Sequence, residues 1–352
     1  MSGLNDGAPG GVLRPGWSAS VDDYAIAGGW TLRGEALVVG DSAGGVYAFD
    51  GRSGKTLWAQ RGAHEDGLLA LAMHPNRPAF ATAGQDGRVL VWSAAEGRVS
   101  LAVDVGNDWV ENVAWSPDGK WLAASCSRQV HTYGADGVRV WRSDDHPSTV
   151  SAIAWSGPEE LATACYGRVT FFDASTGRPR QKLEWIGSLV SMVLSPNGDI
   201  VACGSQDNSV LFWRRSTEQD SMMSGYPAKP SALAFDDTGT LLATGGGEAV
   251  TVWSFHGSGP EGTRPGVLEH HVEAVTTLAF ARRGMRLASG ARDGGVVVWS
   301  LGRDGQGDAI GAAPLEDLVG ALYWRPDGRA LAALDAQGGA TVWRVGDRKE
   351  RP

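Results

Sequence analysis

Eight short, apolar, β-branched stretches end in or next to an aromatic residue at nearly even intervals along this chain. They are Val46–Phe49, Val89–Trp92, Val130–Tyr133, Val169–Phe172, Val210–Trp213, Val250–Trp253, Val296–Trp299 and Thr341–Trp343. The final aromatics are separated by 43, 41, 39, 41, 40, 46 and 44 residues. A repeat of this length cannot bury an apolar face alone and must stack on its neighbours. Each interval also holds an earlier strand signal: Ala25–Trp30, Leu68–Met73, Val110–Trp115, Val150–Trp155, Leu189–Leu194, Ser231–Phe235, Val275–Phe280 and Val319–Trp324. Turn residues follow several of them, as in Ser116-Pro117-Asp118-Gly119, Ser195-Pro196-Asn197-Gly198 and Arg325-Pro326-Asp327-Gly328. There Pro presets φ and Gly supplies its positive value. Four short strands per period of 40–45 residues predict an all-β propeller, here with eight blades of four antiparallel strands.

The first unit begins near Asp23, so residues 12–21 form a strand with no unit of their own, while the last unit ends at Trp343 without an outer strand. The N-terminal strand is therefore expected to complete the last blade, closing the ring and removing a long exposed edge. One domain is expected over residues 12–346, with tails at 1–11 and 347–352. Ser254–Gly266 and Gly302–Ala313 are the longest insertions and are expected as loops between third and fourth strands.

Two units share a further pattern: His64, Thr82, Asp86, Trp92 and His271, Ser289, Asp293, Trp299. In both, the hydroxyl precedes the Asp by four residues and the Trp follows it by six. An indole N–H and an imidazole inside an apolar sheet need partners, and a buried polar network helps only when its members are satisfied. These residues resemble the hydrogen-bonded tetrad of the WD40-repeat family, of the bacterial single-domain type, and the period extends the resemblance over nearly the whole chain. It implies a propeller that serves as a noncatalytic interaction platform. Other units depart from the tetrad. The fourth has Gly167 in place of Asp, the fifth Cys203 in place of the hydroxyl, and the first, third and eighth lack most of it. A His, a hydroxyl and an Asp also suggest a catalytic triad, but a mid-strand hydroxyl is not raised on a strained turn as nucleophiles are.

Composition narrows the function. A formal charge of −9 argues against nonspecific nucleic-acid binding, which needs a basic stripe. No run of about 18 apolar residues and no signal peptide are found, so a soluble, cytoplasmic protein without membrane association is expected, monomeric by default. Cys126, Cys165 and Cys203 form no CxxC pattern and read as small buried hydrophobes in consecutive blades. No catalytic residue, cofactor or metal site is expected. Val46–Trp58, echoed at Phe171–Gly177, resembles the repeat of quinoprotein propellers. The rival reading is therefore an eight-bladed enzyme, or a cofactor- or metal-binding protein with its site at the central channel.

The loops before first strands and between second and third strands share one face. They carry Asp22, Asp23 and Tyr24; Glu65 and Asp66; Asp108 and Trp109; Asp144 and Asp145; Trp185; Tyr226 and Lys229; Glu269, His270 and Glu273; and Glu316 and Asp317. Arg128, Arg168 and Arg292 join them. Eleven acids with aromatics between them predict a negative rim for a protein or basic peptide, attracting cations by field and by cation–π contact. Tyr226, Lys229 and Trp185 mark a less acidic sector, suited to an apolar or carboxylate group.

Overall fold

The computed structural model describes residues 10–257 and 259–346. Antiparallel strands account for nearly all the regular structure. The strands in the opening pattern form where alternation places them. Val275–Phe280, Arg286–Ala291 and Gly295–Leu301 run side by side, with Leu287 opposite both Phe280 and Trp299.

The strands hydrogen-bond into seven sheets arranged in a ring, which corrects the expected count of eight four-stranded blades. Five sheets have four strands, one has five and one has six. The difference arises at the fourth and fifth sequence units. Glu160–Asp173 folds back at Gly167 (φ +81°), and Pro179–Leu194 then runs on without a break. Residues 179–188 of that strand pair with Phe172–Tyr166, and residues 189–194 pair with Ser205–Val201. One strand passing through Trp185-Ile186-Gly187-Ser188 thus serves two units and joins them in a single sheet. The fifth strand of the other large sheet is Gly10–Gly11, expected in a tail but paired with Gly311 and Ala312. The remainder of both expected tails lies outside the described residues.

Leu13–Ser20 pairs with Gly339–Val345 and supplies the outer strand of the last unit. First strands of successive units touch round the ring, and Val319–Trp324 meets Ala25–Trp30 to close it. Ser254–Gly266 connects third and fourth strands, whereas Gly302–Ala313 is mostly strand, because Gly307–Pro314 pairs with Gly295–Leu301.

The core lies between neighbouring sheets. Leu13, Val296, Val298, Val319, Leu331 and Trp343 pack across one such junction. Indoles at the ends of first strands also bridge units. Trp30 Nε1 donates to Tyr323 O at 3.0 Å, Trp155 Nε1 to Ala114 O at 3.1 Å and Trp324 Nε1 to Ala279 O at 2.9 Å. The Trp30 bond spans the ring closure, so the aromatic that packs the junction also satisfies its own N–H there. At Gly44 (φ +82°) an added Cβ would stand 2.2 Å from His64 O, so only glycine brings that turn against the neighbouring unit.

Candidate functional site

Buried polar networks hold the loops of one face. In the second unit Trp92 Nε1 donates to Thr82 Oγ1 at 2.9 Å, and Thr82 Oγ1 lies 2.8 Å from His64 Nε2. The Asp86 carboxylate beside Nδ1 can only accept, so the neutral imidazole carries its proton on Nδ1, and Nε2 accepts the proton of the hydroxyl to which the indole donates. Nδ1 then donates to Asp86 Oδ1 at 3.0 Å. In the seventh unit Trp299 Nε1 and His271 Nε2 both lie 2.8 Å from Ser289 Oγ. Asp293 stands 3.5 Å from His271 Nδ1 and accepts instead from the backbone N–H groups of Val272 and Gly295, at 2.8 and 2.7 Å. Burial holds both histidines below their usual pKa, against the opposing pull of the aspartates. The Thr82 and Ser289 hydroxyls are fully buried within their sheets. Each network fixes the start of a first strand and the turn between second and third strands, the two segments that present the acidic loops.

Sequence reading missed a third network. Trp253 Nε1 donates to Tyr226 Oη at 2.9 Å, and Tyr226 Oη lies 2.8 Å from Thr244 Oγ1. Tyr226 precedes Thr244 by 18 residues, the separation of His64 from Thr82 and of His271 from Ser289. That spacing was the available signal; the exchange of His for Tyr hid it. In the fourth unit His146 Nε2 lies 2.9 Å from Thr163 Oγ1, while Nδ1 donates to Arg128 O at 3.0 Å. A backbone carbonyl thus takes the place of the aspartate absent at Gly167.

Four of the rim acids, Glu65, Asp66, Asp144 and Asp145, stand on loops these networks hold, and the others stand on loops of the first, third and eighth units. Asp22, Asp23, Glu65, Asp66, Asp108, Asp144, Asp145 and Glu316 are exposed, and Asp317 is half-buried. Trp109 stands among them with 55% of its surface exposed. Asp22 bonds with Arg61, which holds its carboxyl below the usual range. Asp317 accepts from Gln337 Nε2 at 2.8 Å, also lowering its pKa. Asp145 accepts from Gln129 Nε2 at 2.8 Å and lies 3.9 Å from Arg128.

Three cavities open among these loops. Tyr24, Lys229 and Arg292 line one of about 850 Å³ with Asn208 and the backbone at Gly246 and Gly247. Asp144, Asp145 and Arg168 line a smaller one beside His146, of about 340 Å³. Arg168 and Trp185 line a third, of about 660 Å³, with Tyr166 and Ile186. Not every predicted rim residue faces outward. Tyr226 is turned in to its network, His270 packs edge-on against Trp299, and Trp185 packs edge-on against Trp213. Conversely, Ile186 is 90% exposed and Tyr166 52% exposed, and neither was singled out in the sequence. The three cysteines are buried and unbonded to one another. Among the described residues no group of three or more His, Cys, Asp or Glu is placed to hold a metal ion. No helix among them is long and apolar enough to cross a membrane.

This geometry is that of a β-propeller with tetrad-anchored loops. The family model for the WD domain, G-beta repeat, matches residues 179–214 and 262–300. A second family model, outer membrane protein assembly factor BamB, matches residues 42–188. That span includes both segments with the quinoprotein-like pattern. Telomerase protein component 1 of Mus musculus is 22% identical over 301 residues, covering 81% of this chain and 11% of that protein. Cell division cycle 20.6, cofactor of APC complex, of Arabidopsis thaliana is 24% identical over 271 residues, covering 72% and 63%. The WD repeat-containing protein slp1 of Schizosaccharomyces pombe is 26% identical over 278 residues, covering 75% and 56%. The chain thus spans less than two thirds of the length of each. Among solved structures, the computationally designed Ika8 protein superposes with a TM-score of 0.81 at 21% identity, covering 96% of this chain and all of that one. A chain of the Mitotic Checkpoint Complex gives 0.66 at 23%, covering 80% and 87%. These two likenesses show the fold. The repeat matches and the WD-repeat relatives place the chain in the WD40-repeat β-propeller family.

Proposed function

We propose that this propeller is a noncatalytic protein-binding platform whose acidic, aromatic loop face receives a basic segment of its partner. The observation that carries the reading is the set of exposed carboxylates on these loops together with the exposed indole of Trp109. Such a wall of one charge raises the local concentration of a cationic ligand, and an exposed indole adds a cation–π contact with Lys or Arg. Fixed loops lose little freedom on binding. The names of the relatives support the class of partner, since the plant protein is a cofactor of APC complex and a solved likeness belongs to a checkpoint complex.

Fluorescence anisotropy with a labelled Arg- and Lys-rich peptide tests the reading, with an Asp- and Glu-rich peptide as control. The basic peptide is expected to bind saturably, to weaken as salt rises, and to weaken further on Asp108→Lys with Trp109→Ala. Equal binding of both peptides, or no effect of the substitutions, would contradict it.

A further inference from the structure

The face opposite the acidic rim carries the reverse charge at one place. Where the last unit meets the first, a cleft of about 670 Å³ is lined by Arg52, Arg325, Arg329 and Arg344, with Trp17 and the backbone at Gly16 and Gly51. Among the described residues no carboxylate lines it. This is unexpected in a chain of net charge −9. Arg52 follows a third strand, Arg325 and Arg329 flank the turn between a first and a second strand, and Arg344 is the penultimate residue of the last third strand. Only ring closure brings them together.

The arginines are not equivalent. Arg325 is neutralised by Asp327, donating from Nε at 2.9 Å and from Nη2 at 2.8 Å. Arg344 donates Nε to Pro15 O at 3.2 Å, and among the described residues its terminal nitrogens make no hydrogen bond. Among the described residues, the exposed side chains of Arg52 and Arg329 make no hydrogen bond or ion pair within 4 Å, and their charges act on Asp50 and Asp327. Their backbones are nevertheless fixed. Asp50 Oδ1 accepts from the N–H of Arg52 at 3.2 Å, and Asp327 Oδ1 from that of Arg329 at 2.9 Å. Trp17 Nε1 holds Gly51 O at 3.3 Å, tying the Arg52 turn to the closing strand. The four lining arginines outnumber the aspartates, Asp50 and Asp327, that fix their backbones.

We propose that this cleft is a phosphoryl-binding site, in which Arg52, Arg329 and Arg344 hold one phosphate dianion. Guanidinium forks match phosphate oxygens in geometry, and a phosphate presents three acceptors and nearly two charges, where a carboxylate offers two acceptors and one. A nucleic acid fits poorly, because a single cleft on an acidic protein offers no basic track for a repeating backbone. The phosphoryl group is borne on a phosphoserine or phosphothreonine of a protein partner, or on a free phosphate compound.

Calorimetric titration of the full chain distinguishes these sources. The probes are pyrophosphate and the peptide Gly-Gly-phosphoserine-Gly-Gly, the latter compared with its Ser and Glu counterparts. The variants are Arg52→Gln with Arg329→Gln, and, as a charge-matched control on another unit, Arg282→Gln with Arg283→Gln. All four positions are exposed, and variants are compared after showing the same unfolding midpoint. The expected result is saturable binding of at least one phosphorylated probe, weakened about tenfold or more by the Arg52/Arg329 pair and unchanged by the control. A phosphopeptide that binds at least as tightly as pyrophosphate assigns the site to a phosphorylated partner; pyrophosphate alone assigns it to a free compound. No binding of either probe at millimolar concentration would overturn the proposal. So would equal losses in both variants, or a Glu peptide that binds as well as the phosphopeptide.

Discussion

Replacing Tyr226 with Phe isolates the polar network that sequence reading missed. The ring keeps its shape, so the change removes one oxygen and leaves no large cavity. Thr244 Oγ1 donates to Thr251 O at 3.2 Å, so Thr244 accepts from the phenol, and the phenol oxygen accepts from Trp253. The chain of donors runs from Trp253 through Tyr226 and Thr244 to the backbone. Burial raises the Tyr226 pKa, so the group is a neutral phenol throughout the useful pH range. Without it, Trp253 Nε1 loses its acceptor and Thr244 loses one donor. Two neutral hydrogen bonds contribute about 0.5–1.5 kcal/mol each, and an unsatisfied indole in this half-buried position adds part of its desolvation cost. The expected loss is about 2 kcal/mol, read as a lower urea midpoint at unchanged slope. A double-mutant cycle with Trp253→Phe should give a coupling of about 1 kcal/mol. Additivity to within about 0.3 kcal/mol, or a Tyr226→Phe loss below about 0.5 kcal/mol, would refute the network.

Three further outcomes follow from buried groups. His131 is held down to about 4, first by burial and then by the charges of Arg139 and Arg142, and His64, His146 and His271 are also lowered by burial. Their unfolded forms bind protons that the folded forms refuse, so stability is full above about 6.5 and falls as pH drops toward each folded value. His131 alone contributes a loss of about 3 kcal/mol between about 6.5 and 4, so His131→Phe should flatten the pH profile of the urea midpoint in that window. Gly44→Ala should cost about 2 kcal/mol or more, since it combines a positive φ with a Cβ 2.2 Å from His64 O; calorimetric unfolding measures this. Cys203 is fully buried and its thiol pKa is pushed far up, so it should resist a thiol reagent in the native protein and react on unfolding.

Much of the fold was legible because the same physical need recurs in every unit. An aromatic-ended strand such as Val210–Trp213 must find a neighbouring sheet, and the surplus strand near Leu13 must find the unit that lacks one. The sheet count was not legible. It turns on whether the chain breaks hydrogen bonding between Leu183 and Leu189, where Gly187-Ser188 reads as a turn but the strand runs through it. Residue identity gave away two tetrads but concealed the Tyr226 version, because an imidazole and a phenol serve the same hydroxyl from the same spacing. On the loop face, acidic residues were legible as charge, whereas inward turning of Tyr226 and outward turning of Ile186 depend on neighbours remote in sequence. The arginine cleft had no local signal, since Arg52 meets Arg325, Arg329 and Arg344 only through closure.

The most direct test of the acidic face is comparative affinity capture from the source cell's lysate. The wild-type chain is set against a variant carrying Asp108→Lys, Trp109→Ala and Asp144→Lys, three exposed positions, with Asp145 left to hold Gln129. Both must first show the same thermal unfolding. The expected result is a partner with a basic segment, held by the wild type and released by the variant. A partner retained equally by both would move the interaction off this face and contradict the account.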